Sequence, residues 1–254
     1  MKIALIQSDL YWEQAFKNRN QFETKINQID SEVDLVILPE MFATGFSMNA
    51  SKMAETMQGE TVLWMQTLAR NKKFAIAGSL IITENNKVYN RLLFVFPSGE
   101  IQFYDKRHLF TLAGEDKIYS AGQHKVIIEY KGWKICPLIC YDLRFPVFSR
   151  NVYEYDVLIY VANWPQIRIN AWDALLKARA IENMSYIIGV NRIGEDGNKL
   201  EHNGHSQAID FLGEYLLEPV VSEGVFIVEL NKKELIAARA KFNFLNDQDS
   251  FVLK

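Results

Sequence analysis

Two runs, DLVILP at 34–39 and DVLIYVA at 156–162, constrain this chain more than any other feature. After the leading aspartate each is apolar at consecutive positions rather than alternate ones, so both faces of the strand need covering. That is the condition of a central strand packed between helices or against a second sheet. The stretch from 74 to 104 reads differently. Turn signals at 85–86 (Asn-Asn) and 97–99 (Pro-Ser-Gly) separate its apolar runs, as in antiparallel hairpins. Helices on sheets, with sheets on each other, satisfy both patterns.

Strands are predicted at 2–7, 33–38, 74–82, 88–96, 101–104, 125–130, 133–139, 156–161, 186–190, 206–211 and 224–228. Helices are predicted at 13–30, 60–72, 146–153, 171–183 and 232–240; in the first, Phe22, Ile26 and Ile29 form one apolar stripe. No linker, repeat or low-complexity tract interrupts the 254 residues, and 49% of them are hydrophobic. That supports one large core and a single domain over 1–254.

A net charge of −3 argues against nucleic acid as a partner. No apolar run approaches the ~20 residues of a membrane span. The opening MKIALIQSDL reads as a first strand rather than a signal peptide. Cys136 and Cys140 sit four apart in a strand-like run. That separates them by roughly 13 Å, too far for a disulfide, which needs Cα atoms within about 7 Å. Two free thiols fit a cytoplasmic protein.

Three reactive residues each follow a different strand-like run: Glu40 ends VDLVILPE, Lys106 ends IQFYDK and Cys140 ends WKICPLIC. Residues at the carboxyl ends of strands converge although they lie far apart in sequence. Asn163, ending DVLIYVAN, belongs to the same rim. Taken singly, each has an ordinary structural explanation: a buried small thiol, a helix-starting acid, a solvated lysine. Together they supply a nucleophile, a base and an oxyanion stabiliser.

The motifs around these residues resemble the nitrilase superfamily of carbon–nitrogen hydrolases. ICYDLRFP at 139–146 is similar to its nucleophile signature, LPEMF at 38–42 to its glutamate motif and FYDKRHLF at 103–110 to its lysine motif. VANWP at 161–165, KARAIEN at 177–183, VNRIG at 190–194 and GHS at 204–206 follow in the family's order. The resemblance implies an α/β fold: a four-layer αββα sandwich of two mixed sheets packed face to face with helices outside. It implies a homodimer and no cofactor.

In the implied chemistry Cys140 attacks an amide carbonyl, its thiolate favoured by Lys106 and the following helical backbone. Glu40 takes the thiol proton and returns it to the departing ammonia. Lys106 and the backbone N–H of Tyr141 hold the oxyanion. Glu115 lies where the family has a further glutamate, which by resemblance orients Lys106 or the substrate amide. Arg144, Arg179 and Glu182 read as salt-bridged supports. A Cys–His hydrolase would need a histidine base, with His108 and His205 inside family motifs but with no such role implied. A metal at His202-x-x-His205 lacks acid or thiol partners, so no metal is expected.

The detailed motifs resemble the bacterial ω-amidase group most, whose substrate is 2-oxoglutaramate. Such a small-molecule amide carries a carboxylate at its other end. Arg168, just past Pro165, is the candidate anchor, because a planar guanidinium suits a bidentate contact. Arg107 and Arg192 stand next. Another small amide, deaminated glutathione-type or aliphatic, is the alternative within the class. An inactive binding module is the alternative outside it.

Overall fold

The computed structural model describes residues 1–29 and 32–252. The first sheet contains β1 (Lys2–Gln7), β2 (Leu35–Ile37), β3 (Ala75–Glu84), β4 (Lys87–Val95) and β5 (Ile101–Asp105), with β14 (Gly224–Glu229) outside β1. The second contains β6 (Ile128–Tyr130), β7 (Trp133–Ile139), β8 (Val157–Ala162), β9 (Tyr186–Asn191), β12 (Ser206–Ile209) and β13 (Tyr215–Val220). A short hairpin, β10 (Ile193–Glu195) and β11 (Glu201–Asn203), stands apart. Each large sheet is mixed: β1, β2 and β3 are parallel, as are β7, β8 and β9, and the remaining pairings are antiparallel.

The period of two along the strands sorts their side chains into layers. Ile3 and Leu5 of β1, Leu35 and Ile37 of β2, and Leu92 and Phe94 of β4 join the core shared with Ile135, Leu138 and Ile159 of the second sheet. The intervening Ala4, Ile6, Val36 and Leu93 face Phe22 and Ile26 of α1 (Ala15–Asn27) and Val62 and Met65 of α3 (Glu60–Lys72). Trp172, Leu176 and Ala180 of α5 (Ile169–Asn183) pack on the second sheet. They approach it so closely that a Cβ on Gly189 would lie 2.6 Å from Leu176. The chain is therefore layered helix, sheet, sheet, helix. Each fully buried Ile or Phe contributes roughly 1.5–3 kcal/mol.

The predicted helix 60–72 and strand 133–139 match Glu60–Lys72 and Trp133–Ile139. The predicted helix 13–30 is Ala15–Asn27, and its predicted end at Asp30 lies outside the described residues. The predicted helix 146–153 stops early, at α4 (Pro146–Ser149). Asn151 ends it by donating to the Tyr155 and Asn183 carbonyls and taking the Tyr155 N–H. Three strands have no counterpart in the sequence reading. β10 and β11 are three residues each, too short for a periodic signal, and β13 carries Pro219, tolerable because β13 is a sheet edge. α2 (Ala50–Met53) and α6 (Lys232–Phe242) complete the helices among the described residues.

Candidate active site

Cys140 follows the last residue of β7 and adopts φ +44°, the left-handed region that a non-glycine residue seldom enters. Such a conformation costs on the order of 1–3 kcal/mol and persists only where surroundings enforce it. Here Asp142 enforces it. Its buried carboxylate accepts from the Ile139 N–H (3.0 Å), the Tyr104 hydroxyl (2.8 Å), the His108 N–H (3.0 Å) and lies 2.7 Å from His108 Nδ1. Tyr104 and His108 flank Lys106, so one carboxylate ties the cysteine turn to the lysine segment across two sheets. Arg179 also braces the turn, donating to the Leu143 carbonyl at 2.6 Å while paired with Glu182 at 3.0 Å.

Glu40, Lys106 and Glu115 are all buried. Lys106 Nζ lies 3.0 Å from Glu40 Oε1 and 2.9 Å from Glu115 Oε2, and 5.1 Å from the Phe46 ring centroid. Glu115 is fixed in turn by the Phe110 N–H at 2.6 Å. Asn163, immediately after β8, gives its N–H to Glu40 Oε2 at 2.8 Å and its Nδ2 to the Glu40 carbonyl at 2.5 Å. Asn90 of β4 donates to Glu40 Oε1 at 2.7 Å. Its role was invisible in the sequence, where a single Asn in VYNRLLF says nothing about which face it serves.

The electrostatics follow from two buried carboxylates around one buried ammonium. Burial opposes the charge on Lys106, but Glu115 and Glu40 outweigh it and raise its pKa. Burial, then Glu40 against Lys106, raises Glu115. Burial and the neighbouring Glu40 charge push the Cys140 thiol well up, more than Lys106 lowers it. This corrects the expectation of a favoured thiolate: the turn after Cys140 is a single 3₁₀ turn, Cys140–Arg144, not a long helix with a strong dipole. A neutral thiol beside a buried carboxylate is the arrangement that needs a base.

A cavity of about 350 Å³ is lined by Glu40, Lys106, Cys140, Tyr141, Asn163 and Arg168, so six of the predicted site residues meet there. Glu115 stands behind Lys106 and does not line it. Arg144, read above as a salt-bridged support, is a cavity residue instead, its guanidinium 5.0 Å from the Trp164 ring centroid. Arg168 sits 5.1 Å from that of Phe110. Neither is ion-paired among the described residues. The fallback candidates do not reach this cavity: Arg192 is buried against Asp9 at 2.7 Å, and Arg107 lines a separate groove. Of the histidines only His202 lines it. His202 Nδ1 meets the Leu200 carbonyl at 3.0 Å, and burial, then Arg192, lowers its pKa to about 4. His205 is paired with Asp173 at 2.9 Å.

A carbon–nitrogen hydrolase family model matches residues 2–240. The chain belongs to the carbon–nitrogen hydrolase family. This hydrolase is 43% identical over 254 residues to an omega-amidase of Escherichia coli, covering 100% of the chain and 98% of the relative. It is 32% identical to a 2-oxoglutaramate amidase of Bacillus subtilis, covering 96% of each. A crystal structure of a CN-hydrolase superfamily protein from Xanthomonas campestris, with an arsenic adduct in its active site, superposes with a TM-score of 0.97 at 43% identity, over 100% and 99% of the two chains. The enzyme is thus a hydrolase of carbon–nitrogen bonds on the αββα fold. Among the described residues no helix is long and apolar enough to cross a membrane, and no cluster of His, Cys, Asp and Glu is arranged to hold a metal.

Proposed function

We propose that this hydrolase is an ω-amidase, cleaving 2-oxoglutaramate to 2-oxoglutarate and ammonia through a thioester on Cys140. The carrying observation is the pairing, in one cavity, of a buried Glu40–Lys106 couple beside Cys140 with two guanidiniums, Arg144 and Arg168, that lack anionic partners among the described residues. The first serves amide chemistry; the second is a cation surplus that a carboxylate-bearing substrate neutralises. The names of its omega-amidase and 2-oxoglutaramate amidase relatives support this substrate class.

In this scheme the Cys140 thiol proton passes to Glu40 as sulfur bonds the amide carbon and the carbonyl π pair moves to oxygen. Lys106 Nζ and the Tyr141 N–H receive that oxyanion; Tyr141 lies in the first turn of a short helix, where N–H groups have no intrahelical carbonyl. The C–N bond then breaks and Glu40 returns the proton to nitrogen, releasing ammonia. Water, deprotonated by Glu40, attacks the thioester and frees the acid and the thiol. Glu115 keeps Lys106 charged and aimed. Asn163 Oδ1, buried without a partner, is the acceptor offered to the substrate amide N–H.

We take residues 1–254 as one catalytic unit that works in the cytoplasm as a homodimer. Exposed apolar Ile181, which packs beside Gly213, and the exposed Leu212 and Leu216 supply the apolar surface that supports the dimer. The deciding assay is ammonia release from 2-oxoglutaramate against butyramide. The charged substrate is expected to lead by about 10- to 100-fold in kcat/KM, the worth of one charge-assisted contact. Equal rates would reduce the assignment to a general amidase.

A further inference from the structure

Asn90 touches Glu40, Glu115 and the Lys106 main chain and yet does not line the cavity. Its Nδ2 lies 2.7 Å from Glu40 Oε1 and 3.4 Å from Glu115 Oε1, and its carbonyl accepts the Lys106 N–H at 2.9 Å. The orientation of its amide is not ambiguous: turned over, it would press an oxygen against two carboxylates. That orientation leaves Asn90 Oδ1 buried with no partner among the described residues. A buried orphan acceptor is costly, and Leu92 and Leu93 show that the same strand readily takes apolar residues. Stability alone therefore does not account for asparagine here.

The two oxygens of Glu40 are unequally occupied. Oε1 accepts from Lys106 Nζ and from Asn90 Nδ2, which uses both of its lone-pair directions. Among the described residues Oε2 accepts only the Asn163 N–H and keeps one direction open. We propose that Asn90 is a positioning residue that saturates Glu40 Oε1 and thereby makes Oε2 the oxygen that exchanges the proton with Cys140. The inference rests on the amidase mechanism above. In the acylation step Oε2 gains the thiol proton as the S–C bond forms, and gives it up to nitrogen as the C–N bond breaks. Without Asn90, Oε1 loses one of its two donors and regains an open lone-pair direction, so it competes with Oε2 for the proton from a position beside Lys106.

The test uses the full-length enzyme and two variants. Asn90→Leu keeps the volume and removes the donor; Asn90→Asp keeps the shape and replaces the donor with an oxygen. Both are expected to lower kcat for 2-oxoglutaramate by about 10- to 100-fold while KM moves less than about threefold, because Asn90 acts through Glu40 and not on substrate. The rate at which iodoacetamide alkylates Cys140 should fall in parallel, and this readout does not depend on which amide is the substrate. If the wild type ignores 2-oxoglutaramate but both variants are alkylated slowly, the substrate reading fails and the role of Asn90 stands. If either folded variant, judged by circular dichroism and Tm, keeps wild-type kcat and wild-type alkylation, the proposal is overturned. Should Asn90→Leu not fold, Asn90→Asp decides by the same two measurements.

Discussion

Asn163 grips Glu40 from two directions, its N–H on Oε2 at 2.8 Å and its Nδ2 on the main-chain carbonyl at 2.5 Å. Glu40 follows β2 of one sheet and Asn163 follows β8 of the other, so this contact closes the seam between the sheets at the end where Lys106 and Cys140 also emerge. The site is thereby part of the inter-sheet packing and not a loop laid over it. Its geometry inherits the rigidity of a buried core.

The nucleophile assignment separates two cysteines with opposite surroundings. Cys136 is fully buried in the inter-sheet core, whereas Cys140 opens into the cavity beside Glu40 and Lys106. Cys140→Ala should abolish ammonia release with the fold intact, and Cys136→Ala should keep most of it. Labelling by a small alkylator, located by mass spectrometry, should reach Cys140 well before Cys136. Preferential labelling of Cys136 would overturn the assignment.

Lys106 offers a combined test of stability and rate. Its ammonium, raised above the ordinary lysine value by Glu115 and Glu40 against burial, stabilises the fold fully at neutral pH, and that contribution is lost only as pH rises past the ordinary lysine range. Lys106→Met leaves two buried carboxylates without a cation, which should cost about 3–5 kcal/mol in chemical denaturation. It should also lower kcat by about 10²–10³ as an oxyanion donor is lost. Adding Glu115→Gln should recover much of the stability and none of the rate. Recovery of rate as well would remove Lys106 from the chemistry.

How far the site was legible depended on backbone position. Glu40, Lys106, Cys140 and Asn163 each follow a strand, and strands running the same way bring their ends to one rim, so order in the chain was enough to gather them. Glu115 came only by family resemblance, since AGEDK looks like a solvated loop; in the structure it is buried by Lys106. Arg144 was misassigned because a guanidinium on a 3₁₀ turn either pairs with the body or faces the cavity, and only the packing of Trp164 decides which. Helix 60–72 was readable to the residue, its apolar stripe bounded by Gly59 before and the left-handed Lys73 after. Asn90 and the β10–β11 hairpin carried no periodic signal at all.

His202 makes the fold acid-sensitive in a defined window. Burial, and then Arg192, lowers its pKa from 6.5 to about 4, so the folded protein keeps it neutral where an unfolded chain takes up a proton. Stability is therefore unaffected above pH 6.5 and falls as pH drops toward 4. The full loss is about 3 kcal/mol from this one group. His202→Gln should flatten that part of the stability–pH curve measured by urea denaturation. An unchanged slope between those pH values would show that other groups carry the acid transition.

Substitution can test whether the two guanidiniums share the anchoring of a substrate carboxylate. Arg168 and Arg144 both line the cavity of Cys140, each stacked near an aromatic ring and neither ion-paired among the described residues. Part-burial lowers Arg168, Cys140 raises it and Arg144 lowers it again, yet a guanidinium remains charged at neutral pH. Losing one charge-assisted contact should cost 2-oxoglutaramate about 10- to 100-fold in kcat/KM and leave butyramide nearly unchanged. Arg168→Ala is expected to show this selective loss, and Arg168→Lys to restore it only in part, because an ammonium does not make the two-pronged contact. Arg144→Ala should show a comparable loss if both cations hold the carboxylate. A double variant no worse than the single ones would then mean that they act as one clamp. If Arg168→Ala keeps the preference and Arg144→Ala erases it, the anchor is Arg144 alone. A preference that survives both substitutions would place the carboxylate elsewhere in the cavity.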